Sequence, residues 1–174
     1  MTAAKFQNTI ESPWLELTPI RVGKVPSGLG TPDNYVVVQT NDEAILRIDV
    51  YGYAGEESFL FEKVIIWNEQ VIIGFGHRVY FISLYGGMTK TINLGSHFYD
   101  FYVLPNGSLL IASGERLFCI GSNGNTNWSS VRLGFAIEIR NITDDFIYGQ
   151  GELALGDEWH PFKVRIDSGK ADDG

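Results

Sequence analysis

Val71-Ile72-Ile73-Gly74-Phe75-Gly76-His77-Arg78-Val79-Tyr80-Phe81-Ile82 is echoed by Leu109-Leu110-Ile111-Ala112-Ser113-Gly114-Glu115-Arg116-Leu117-Phe118-Cys119-Ile120. Val79 corresponds to Leu117, Arg78 to Arg116 and Gly76 to Gly114, at a constant offset of 38 residues. A period of roughly 40 residues that holds several short strands marks a chain built from repeated antiparallel units. The repeat speaks to architecture and names no reaction.

Working outward, short apolar or alternating runs predict strands at Tyr35 to Thr40, Ala44 to Val50, Lys63 to Trp67, Val71 to Phe75, Arg78 to Leu84, Phe98 to Leu104, Ser108 to Ser113 and Arg116 to Ile120. Further runs lie at Val131 to Leu133, Ala136 to Ile142, Phe146 to Gln150 and Phe162 to Asp167. Between them, Pro105-Asn106-Gly107, Ser122-Asn123-Gly124-Asn125 and Asp167-Ser168-Gly169 are turns, because Asn and Gly accept positive φ at little cost. No segment of helical period competes.

With four strands per unit, the third unit has strand a at Phe98 to Leu104, b at Ser108 to Ser113, c at Arg116 to Gly121 and d at Trp128 to Leu133. The second has Lys63 to Trp67, Val71 to Phe75, Arg78 to Leu84 and Thr89 to Leu94. The first offers Thr18 to Val22, Tyr35 to Thr40, Ala44 to Val50 and a d strand near Ser58 to Phe61. The fourth has Ala136 to Ile142, Phe146 to Gln150 and Phe162 to Asp167, with no d strand after them. Trp14-Leu15-Glu16-Leu17 is similar to the Trp128 strand and is expected to complete that last unit, removing an exposed edge. One domain over 1–174 follows, with units at about 18–61, 63–94, 98–133 and 136–170.

The turns carry a resemblance. Cys119-Ile120-Gly121-Ser122-Asn123-Gly124-Asn125-Thr126-Asn127-Trp128 keeps the Gly and Trp, and Val164-Arg165-Ile166-Asp167-Ser168-Gly169-Lys170 the Asp, Gly and Lys, of the repeats of β-propeller proteins of the PQQ-repeat and WD40-like kind. The chain resembles these over about residues 34–170. The resemblance implies an all-β fold of four antiparallel units, a small β-propeller or propeller-like ring, and carries no catalytic residue. A two-sheet β-sandwich made from the same hairpins is the alternative.

Composition narrows the function classes. At 174 residues and 44% hydrophobic content the chain can bury one sizeable core. A formal net charge of -8 repels nucleic acid and anionic lipid, and favours a basic protein partner. The single cysteine, Cys119, sits in an apolar run and reads as core, and no signal-like stretch precedes the sequons, so a cytoplasmic address is expected. No apolar run approaches the roughly 18 residues of a membrane span. No pattern calls for a cofactor.

If b-to-c and d-to-a loops share one face, His77, His97 and His160 fall there with Asn41-Asp42-Glu43, Glu115 and Asp157-Glu158-Trp159-His160. Imidazole and carboxylate together could ligate a metal, with Glu115 or Glu158 as base, but no spacing motif supports it. The loop from Gln150 to Pro161 carries Leu153, Leu155 and Trp159 among acids, a composition suited to anchoring a basic partner. Neither a nucleophile elbow nor a phosphate-binding loop is present: Ser27-Gly28-Leu29-Gly30-Thr31-Pro32 lacks the lysine a P-loop needs. The reading is therefore a non-enzymatic binding module, adaptor or immunity-like, with Trp159, Glu158, Asp157, Glu115 and His160 as candidate binding residues. A metal-dependent enzyme using His77, His97 and His160, and a self-associating scaffold unit, are the alternatives.

Overall fold

The computed structural model describes residues 1–54, 61–154, 156 and 158–172, and at 89 the backbone alone. The described residues form fifteen strands and one short 3-10 turn, arranged in four separate sheets rather than the two of a sandwich. Two compact units divide the chain, Met1–Asn93 and Leu94–Gly174, with two sheets in each.

In the first unit, strands β1 (Thr2–Gln7), β2 (Ile20–Gly23), β3 (Asn34–Thr40) and β4 (Glu43–Tyr51) form one sheet in the order β1-β3-β4-β2. Strands β5 (Lys63–Trp67), β6 (Gln70–Phe75), β7 (Arg78–Ser83) and β8 (Met88–Asn93) form the other as an antiparallel meander. Two-residue turns close the β3–β4 and β5–β6 hairpins. Asn41-Asp42 (φ 49 and 67) and Asn68-Glu69 (φ 48 and 59) both take the doubly left-handed form that matches strand twist. Side chains alternate, so Val36, Val38, Ile48 and Val50 meet Val71, Ile73, Phe75, Tyr80 and Ile82 in one buried cluster.

Two expectations for this unit are corrected, and a third lies largely outside the described residues. Residues Trp14–Glu16 form a 3-10 turn, not a strand: Glu16 N–H donates to Pro13 O and Leu17 N–H to Trp14 O. The Trp14 indole N–H donates to Val38 O, 3.4 Å away, which ties the turn to the first sheet. The place beside β3 expected for Thr18 to Val22 belongs to β1, antiparallel, while β2 lies at the opposite edge, parallel to β4. The strand expected near Ser58 to Phe61 falls largely outside the described residues.

In the second unit, β9 (Phe98–Val103), β10 (Leu109–Ser113), β11 (Leu117–Ile120) and β12 (Thr126–Ser129) form a four-stranded meander. Strands β13 (Ala136–Ile142), β14 (Phe146–Glu152) and β15 (Trp159–Arg165) form a three-stranded one. Leu110, Ala112, Leu117 and Cys119 pack with Ile137, Ile147, Val164 and Ile166 as a second core. The Trp128 indole N–H donates to Ile166 O at 2.7 Å, and the ring covers Gly169, whose φ of 68 and lack of a Cβ suit both the turn and the contact.

The three-stranded sheet has a defended edge. Arg165 N–H donates to Lys170 O and Asp172 N–H to Lys163 O, so residues 170–172 fold back along β15, pinned by the Lys163 to Asp172 ion pair of 2.6 Å. By the two-residue period, Pro161 faces the same way and offers no N–H. Closure of the edge thus comes from this return segment and a proline.

Candidate protein-binding surface

Tight connections gather the second unit's candidate residues at one end of its two sheets. Gly114 N–H donates to His97 O at 2.8 Å, Leu133 N–H to Glu115 O at 2.9 Å, and Phe135 N–H to Glu152 O at 2.7 Å. The segment entering β9, the β10–β11 turn, the segment from Ser130 to Phe135 and the end of β14 are therefore stitched side by side. Cross-strand register then sets Trp159 opposite Glu152 and His160 opposite Gly151. The expected loop from Gln150 to Pro161 is shorter than its sequence suggests, because β14 and β15 extend to this pair and place Trp159 and His160 on a strand.

The surface is amphipathic. Val131 (65% exposed), Phe135 (41%), Leu153 (58%) and Trp159 (44%) present apolar area to solvent. Around them, Arg132 reaches Glu115 at 2.7 Å while its guanidinium lies 3.8 Å from the centre of the Phe135 ring. Glu152 accepts the Gly156 N–H at 2.6 Å, shaping the connection, and Glu158 is exposed beside Trp159. Glu115, a candidate binding residue, has its charge offset by Arg132. Asp157 lies outside the described residues.

Val131, Arg132 and Phe135 do not emerge from sequence reasoning, because Trp128 to Leu133 reads as a continuous strand. The strand ends at Ser129, and a signal was available: Gly134 separates Phe135 from the run Val131 to Leu133.

The histidines have separate settings. His97 lies half-buried with its imidazole against Gly114, where an added Cβ would sit 2.4 Å from Cε1, and His77 lies half-buried in the β6–β7 turn of the first unit. Among the described residues, no three His, Cys, Asp or Glu side chains converge as a metal site.

No protein-family model matches the sequence, and comparison with curated proteins gives no match. The chain is similar in structure to the WD40 domain of Neurospora crassa Pan2, with a TM-score of 0.50 and 11% sequence identity. That likeness covers 80% of this chain and 45% of the Pan2 domain, so the chain spans less than half the length of the protein it matches. It is also similar to a protein of unknown function from Bacteroides caccae, with a TM-score of 0.39, 12% identity, and 79% and 52% of the two chains covered. Among the described residues, no helix is long and apolar enough to cross a membrane. The four β-sheets and the likeness to the Pan2 domain give the chain an all-β, propeller-like fold that resembles a WD40 domain.

Proposed function

We propose that this chain is a non-enzymatic binding module whose second unit engages a protein partner through the surface around Phe135 and Trp159. The observation that carries the reading is the grouping of exposed Val131, Phe135, Leu153 and Trp159 at one end of that unit, rimmed by charge. Exposed apolar area ringed by polar groups is the anatomy of an interaction site, and Trp is the residue type that most often dominates binding energy. Folds of the WD40 kind commonly mediate protein–protein contacts, which agrees with the reading. A basic partner is favoured by the net charge of -8 and by Glu158 beside the tryptophan. The same reading puts the protein in the cytoplasm, supported by one buried, unpaired cysteine.

The test is affinity capture from source-cell lysate, followed by calorimetry with the purified partner. Trp159→Ala is expected to weaken binding roughly 30-fold, the effect of losing about 2 kcal/mol at a hot spot. Glu158→Gln is expected to slow association and flatten its salt dependence. Binding that is unchanged in both Trp159→Ala and Phe135→Ala refutes the surface.

A further inference from the structure

A recess in the first unit is built differently from that surface. It holds about 250 Å³ and is lined by Gln7, Asn8, Thr9, Glu11 and Trp14. Trp14 forms its fixed wall: the 3-10 turn orients the ring, the indole N–H is committed to Val38 O, and the side chain is half-buried. The remaining lining is polar. Two carboxamides and a hydroxyl each offer donors and acceptors, and one carboxylate accepts only.

This inventory sorts ligands by chemistry. An inorganic anion meets the Glu11 carboxylate and a net charge of -8. A cation finds the ring already served, since Lys5 Nζ lies over Trp14 at 5.9 Å from its centre and repels a second ammonium. A purely apolar ligand matches only the indole, one of the five lining side chains, and leaves the polar ones to water. A neutral ring that carries several hydroxyls suits this lining: the indole offers an apolar wall, and Gln7, Asn8, Thr9 and Glu11 offer its hydroxyls both donors and acceptors. The volume falls below the roughly 300–1,000 Å³ of drug-sized sites and matches a guest of one ring. We propose that the Trp14 recess binds a single neutral sugar residue.

The test is a titration of the full chain followed by 1H–15N spectra, using methyl β-glucoside, methyl β-galactoside and N-acetylglucosamine as probes, each to about 50 mM so that millimolar affinities are read. At least one probe is expected to shift the Trp14 indole N–H and the Gln7 and Asn8 carboxamides in a saturable way. Asn8→Ala and Glu11→Gln, at exposed positions, are each expected to weaken that probe at least fivefold while the rest of the spectrum stays native. The disaccharide of the best probe is expected to bind as its monomer does; a gain of tenfold or more overturns the one-ring site. The proposal also falls if no sugar gives a saturable shift, if only tetramethylammonium or phosphate does, or if sugar binding ignores both variants.

Discussion

Gly114 shows how one missing methyl group can fix a turn. Its backbone N–H holds the His97 carbonyl while the His97 ring occupies the space of a Cβ. Gly114→Ala is expected to cost roughly 1–3 kcal/mol, and most of that is expected to return in the His97→Ala background, which removes the ring it strikes. Urea unfolding of both single variants and the double variant measures the coupling. Cys119 gives a simpler case. Burial pushes its thiol up from the ordinary value, and it is 1% exposed, so a thiol reagent is expected to react only once denaturant is added. The apolar run around Cys119 makes its burial legible in the sequence, whereas nothing in the spacing of His97 shows that its ring lies on a glycine 17 residues later.

Strands are the most legible elements, because the apolar period survives in nearly all of them; Lys63–Trp67 and Ala136–Ile142 run as the sequence predicts. Trp14 to Leu17 misleads for a physical reason. Its alternation suits a strand, but Pro13, with φ of -88, starts a turn whose end the Ser12 hydroxyl reaches through Glu16. The return segment along β15 is held by charge. The Lys163 ammonium keeps the Asp172 carboxyl below its ordinary value. A depressed folded value means that this contribution is present above the unfolded carboxyl range and lost as pH falls through the folded one. The Asp172 amide signal is therefore expected to move to its unstructured position in acid, below about pH 3.9, and to do so at higher pH in Lys163→Ala. With the edge closed in this way, deletion of residues 170–174 is expected to increase self-association in light scattering relative to the intact 19.4 kDa chain.

On the scale of the molecule, the sequence made the number of repeats legible and left the chemistry of their ends obscure. Net charge predicts an acidic surface, yet Arg132 offsets Glu115, and the aromatic that completes the patch, Phe135, follows a glycine instead of an apolar run. Charge still acts at long range. Association with a basic partner is expected to slow as ionic strength rises from about 0.01 to 0.15 M, because the screening length contracts from about 30 to 8 Å, and stopped-flow mixing reads that slope. The Trp128 contact has a consequence in time. Its indole joins Ile166 O and Gly169 across 38 residues of chain, so the contact is expected to form late, after the hairpins on either side. Trp128→Phe, which keeps the ring and loses the donor, is expected to speed unfolding while leaving the refolding rate unchanged, so this indole governs how long the second unit stays closed once formed.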